Sequence, residues 1–182
     1  MKTMLNRIGA LALAVATASA TATPSIAATQ GTLGATSTGS ITITANIPSL
    51  VRILNLDDIN LGNFAGAALS AGDDVCIFSN TGGYDVTATG DGAGGAFQLT
   101  GASSGDTLAF TVQWATTAGA GSGTALSPGV ALTGLGGTFT NPTCQGGASL
   151  NARVMIYVTA DDLGAVSSDS YSGTLTLLIE PQ

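Results

Sequence analysis

The sequence predicts an all-β domain of sandwich type, and three observations carry that prediction. Short runs of β-prone residues alternate apolar and polar positions with a period of two. Outside the first 20 residues, no window shows a sustained apolar stripe at i, i+3, i+4, i+7. Clusters of Gly, Asn, Asp and Ser separate the runs at short intervals, as in a sandwich and unlike strands alternating with helices.

The elements follow in chain order. Lys2 and Arg7 precede an uncharged run over residues 8–20, which ends in small residues that include Ser25-Ile26-Ala27. That pattern predicts a secretory signal peptide over residues 1–27 and therefore export. Beyond it the chain keeps Arg52 and Arg153 against all eleven acids, a net charge of −9, with no Lys and no His. Residues 29–40 are Gly, Ser, Thr, Ala and Gln with one large apolar side chain, Leu33, and read as a flexible leader. In Ile41-Thr42-Ile43-Thr44-Ala45-Asn46-Ile47-Pro48, the residues Ile41, Ile43, Ala45 and Ile47 share one face. This is a strand signature, and Pro48 ends or bends it by removing a backbone donor. Residues 28–48 thus form a leader and N-terminal strand, and 49–182 a single domain long enough to bury a core.

Within that domain the candidate strands are residues 50–56, 59–64, 75–79, 84–89, 96–100, 108–114, 130–133, 150–159 and 171–179. Asn80-Thr81-Gly82-Gly83 reads as the turn between two of them. Residues 115–127 and 134–147 are glycine-rich and read as edge loops. Neither opens a helix beside a Lys, so neither reads as a phosphate cradle. Asp57-Asp58, Asp73-Asp74 and Asp161-Asp162 lack the spacing of a dedicated calcium loop and read as turn and strand-end acids.

The composition excludes whole classes of function. With no His, and no Lys beyond residue 27, Ser and Cys nucleophiles lack their usual base, and transition-metal sites lack their commonest ligand. Two arginines cannot neutralise a nucleic-acid backbone, so no nucleic acid is expected. No apolar stretch beyond the signal reaches the roughly 20 residues of a membrane span. A glycosidase needs only two carboxylates, but nine aromatics serve both core and any sugar cleft, with Phe110 and Trp114 at opposite ends of one alternating strand. The expectation is a protein that is not an enzyme and carries no cofactor and no metal.

Cys76 and Cys144 are an even pair in an exported chain, and a disulfide is the expected state. Closing that loop is worth roughly 4 kcal/mol in the chain-entropy model. No cation adjoins either cysteine in sequence, as a reactive thiol would want.

The two ends of the chain carry a resemblance. Ile41 to Ile47 has the form Ile-Thr-hydrophobic-Thr-Ala-x-hydrophobic, and the last apolar run opens Tyr171-Ser172-Gly173 and continues Thr174-Leu175-Thr176-Leu177-Leu178-Ile179. Together with the internal strand ending at Trp114, these features resemble subunits of chaperone–usher pili, most of all the alternative, CFA/I-type class. Cys76, Ser79 and Tyr84-Asp85-Val86 are similar to the spore-coat-U-like domains of archaic pili. The cysteine pair departs from the CFA/I pattern.

The resemblance implies an immunoglobulin-like sandwich that lacks one strand. A periplasmic chaperone fills the groove first, and the N-terminal strand of a neighbouring subunit then replaces it during export through an outer-membrane usher. Ile41, Ile43, Ala45 and Ile47 would be the donor residues, and Leu175, Leu177 and Ile179 would line the acceptor groove. The protein would be a fimbrial structural subunit, passing through the periplasm to the cell surface and serving adhesion or biofilm formation. The competing reading is a self-complete secreted sandwich that binds glycans or surfaces, in which residues 41–47 pair with 171–179 of the same chain. Period-two alternation fits both.

Overall fold

The computed structural model describes residues 27–138, 142–144 and 150–182. Residues 1–26 of the expected signal peptide, and parts of the second glycine-rich loop, lie outside the described residues. The chain divides into two units, Met1–Asn46 and Ile47–Gln182. In the first, Thr29 and Ser40 exchange both backbone hydrogen bonds, at 2.8 and 2.9 Å, and so close the leader into a loop. Residues 41–46 follow that closure and belong to no β ladder.

The second unit is an all-β sandwich of antiparallel ladders. Its strands are β1 (Val51–Leu54), β2 (Leu69–Ser79), β3 (Gly83–Gly90), β4 (Gln98–Gly101), β5 (Thr107–Ala109) and β6 (Thr111–Ala115). Then come β7 (Thr124–Leu126), β8 (Ala131–Gly136), β9 (Ala152–Val158), β10 (Tyr171–Ser172) and β11 (Leu175–Pro181). One short helix, α1 (Ala160–Gly164), follows β9. One sheet has the order β1-β2-β9-β6-β7. The opposing layer is made of β11-β3-β8 and β10-β4-β5.

Alternation decides which faces meet. Val154, Ile156 and Val158 of β9, Val112 and Trp114 of β6, and Tyr84, Val86 and Ala88 of β3 are buried, each two residues from the next. At the centre, Tyr84 and Trp114 meet edge to face with ring centroids 6.3 Å apart, and Phe97 stacks on Phe110 at 5.7 Å. The turn at residues 80–83 joins β2 to β3, with Gly82 at φ +82°, a backbone that excludes most side chains. Asn151 extends the pairing of β2 with its side chain: its amide accepts from Ile77 N–H at 2.8 Å and donates to the Ile77 carbonyl at 2.9 Å.

Cys76 and Cys144 are disulfide-bonded, with Cα atoms 6.1 Å apart, tying the loop after β8 to the core strand β2. Asp74 pairs with Arg153 at 3.1 Å, and Asp57 N–H donates to the Asp73 carboxylate at 2.8 Å. Asp161 and Asp162 occupy the first turn of α1, where Thr159 caps the helix by accepting from Asp162 N–H at 3.1 Å.

Several elements differ from their sequence expectation. Residues 108–114 form two strands, β5 and β6, broken at Phe110, which lets β5 join β4 and β6 join β9 in opposite layers. Residues 115–127 contain the edge strand β7, since pairing with β6 suffices even for a short, weakly apolar run. The last strand is interrupted at Gly173-Thr174, where its partner chain crosses from β3 to β4. Residues 59–64 form no strand, although their alternation is that of one.

Candidate functional site

β10 and β11 end their sheets and pair on one side only among the described residues. Local hydrogen bonds fix which groups their outer edge presents. Ala102 N–H donates to the Ser170 carbonyl, Thr174 N–H to the Asp91 carboxylate at 2.8 Å, and Gln182 N–H to the Gly83 carbonyl at 3.3 Å. Successive backbone groups along a strand point to opposite sides, so these even-numbered positions face β3 and β4. Tyr171, Leu175 and Leu177 therefore turn their N–H and C=O groups to the outer edge. The same alternation turns their side chains inward, where all three are half-buried while Ser172, Thr174 and Thr176 are exposed. Pro181 falls in the outward series, so its missing N–H removes no bond to β3.

Beside that edge lies a groove of about 1150 Å³. Its floor is apolar, made by Leu99 and Leu108 of one layer, Val154 and Ile156 of the other, and Phe110 at the crossing between them. Leu175 and Leu177 of β11 also line it, as does the run with Ile59, Leu61 and Phe64. The rim carries Asp57, Asp58, Asp73 and Asp169, and no Arg is among the groove residues.

The end of the groove formed by residues 163–171 is held by two carboxylates that cross between loops. Asp169 accepts the N–H groups of Ser103 and Ser104, both at 2.7 Å, and that of Ser170 at 2.8 Å. These bonds, the one from Ser104 foremost, pull its pKa down from 3.8 to about 2. Asp106 reciprocates by accepting Ser167 N–H at 3.1 Å, and the Ser167 hydroxyl and amide together lower its pKa against repulsion from Asp169. The Tyr171 hydroxyl donates to the Ser167 carbonyl at 2.8 Å and closes the set.

The residues singled out from sequence are placed as follows. Leu175 and Leu177 line the groove, whereas Ile179 is buried in the core behind it. Ile41, Ile43 and Ile47 are 74%, 85% and 79% exposed, and Ala45 is exposed too. Among the described residues, no cluster of three or more His, Cys, Asp or Glu side chains has metal-binding geometry. Sequence reasoning did not find the crossed Asp106 and Asp169 contacts. No local pattern announces a pairing between residues more than 60 apart. The helix α1 was legible in principle, because Thr159-x-x-Asp162 is a capping pattern.

No protein-family model matches the chain, and no curated protein matches it. Among solved structures, the chain is similar to one from work on the chaperone–tip adhesin complex in CFA/I fimbriae biogenesis, at 16% identity and a TM-score of 0.49. The match covers 72% of this chain and spans 41% of the length of the other.

Proposed function

We propose that the protein is a structural subunit of an extracellular pilus or fimbria, polymerising by donor-strand exchange in the service of adhesion or biofilm formation. The observation that carries this reading is the open outer edge at Tyr171, Leu175 and Leu177 beside an apolar floor. An exposed strand edge over apolar surface is an aggregation hazard unless something is meant to cover it. The occupant is residues 41–47 of a second copy. Its Ile41, Ile43, Ala45 and Ile47 repeat at the spacing of the groove's inward side chains, and its backbone supplies a partner for the N–H and C=O groups that no ladder takes up among the described residues.

Charge supports the same occupant. All eleven acids of the chain lie between Asp57 and Glu180, so the leader and donor segment are free of acids in an otherwise acidic protein. A neutral segment meets no repulsion at the acid-lined rim, as an acidic strand would. Burial of each isoleucine contributes about 1.5–3 kcal/mol before ordering entropy is subtracted. The contact is head to tail, so it propagates into a fibre instead of closing. A periplasmic chaperone would cover the groove before assembly, and an outer-membrane usher would pass the subunit to the surface. The chemistry asked of the chain is binding alone, without catalysis.

Deleting residues 29–47 tests the reading. The truncated subunit should still accept a chaperone strand or a synthetic peptide of residues 39–50, yet form no fibres by electron microscopy. Normal fibres from that truncation would overturn it.

A further inference from the structure

Resting on the donor-strand reading, we propose that residues 59–64 are a conformational partner of the docking strand, held in a turn by Asn60 and Gly62 and converted to a β-strand when the groove is filled. The run has strand alternation, with Ile59 and Leu61 half-buried against the core and Asn60 exposed, but among the described residues it joins no ladder. It lines the same groove as Leu175 and Leu177, so a strand docked there lies within reach of it. What keeps it out of strand geometry is local. The Asn60 side-chain carbonyl accepts Gly62 N–H at 2.8 Å, and Gly62 sits at φ +81°. A strand needs negative φ at that position, which glycine adopts as readily as positive φ. Docking therefore trades one exposed Asx-type bond for a second ladder, and the filled groove is bounded by strands on both sides.

The consequence can be read from a substitution that adds a side chain yet tightens binding. A Cβ at Gly62 would meet nothing within 4 Å, so Gly62→Ala introduces no clash. It does penalise the left-handed turn and leaves the extended form unpenalised, which raises the fraction of chains competent to dock. Asn60→Ala acts in the same direction by removing the bond that holds the turn.

The test uses the full mature chain and a synthetic peptide of residues 39–50, read by calorimetry and by amide hydrogen exchange. Gly62→Ala should bind the peptide about five- to tenfold more tightly than wild type, and Asn60→Ala more tightly by a smaller factor. Amides of residues 59–64 should slow when peptide is added. Unchanged or weaker affinity in both variants, or fast exchange at 59–64 in a saturated complex, overturns the conversion and leaves the donor-strand reading standing. A wild-type chain that binds no peptide overturns the donor-strand reading itself.

Discussion

The indole N–H of Trp114 donates to the hydroxyl of Tyr84 at 3.0 Å, and both side chains are buried. The bond joins β6 of one sheet to β3 of the other, so it fixes the two layers against each other at the centre of the core. Burial is also the leading reason that the Tyr84 pKa is raised, with the bond to Trp114 opposing it.

Tyr84→Phe keeps the ring and removes the acceptor. The indole N–H is then buried without a partner, which costs about 1–3 kcal/mol. A denaturant melt followed by Trp114 fluorescence should show the unfolding free energy lowered by that amount, as a lower midpoint with the slope unchanged. A midpoint equal to wild type would mean that the bond contributes nothing net.

Ile43→Asp separates folding from assembly. The side chain is 85% exposed in the subunit, so the thermal midpoint of the monomer should stay at the wild-type value. In the groove of a neighbour, the same carboxylate would lose its hydration against an apolar lining that holds no Arg. Fibre yield by sedimentation should therefore fall to background. Wild-type yield would show that Ile43 does not enter the groove.

Acid should loosen the end of the groove at residues 163–171. The folded pKa of Asp169 is depressed to about 2, and that of Asp106 is also depressed. A depressed carboxylate contributes stability that is fully present above its unfolded value of 3.8 and is lost as pH falls toward about 2. The thermal midpoint should be flat at neutral pH and drop below about pH 4. Asp169→Asn should lie below wild type at neutral pH and converge with it near pH 2, as measured by a series of melts. Parallel curves for the two proteins throughout that range would exclude Asp169 as the titrating group.

Most strands were legible because alternation is a local property. Residues 84–89 and 150–159 show period-two alternation in sequence and 75–79 a short continuous apolar run, and all three are strands in the sandwich. The same signal over-reads residues 59–64, because alternation reports only that one face suits an apolar surface, while a ladder also needs a neighbour. The runs at 108–114 and 171–179 are each split for a related reason: the break lies where the partner strand changes, and that information sits tens of residues away.

The all-β class, the cysteine pair and the acid-free N-terminal segment follow from the amino acids themselves, because charge, side-chain volume and period-two patterning act residue by residue. Which strand edge is left without a ladder, that Leu175 and Leu177 flank a groove while Ile179 closes the core behind it, and that Asp169 reaches back to Ser103 and Ser104 were decided only in three dimensions. Those facts depend on which segments become neighbours, and the free energy that selects neighbours comes from the packing of both layers at once.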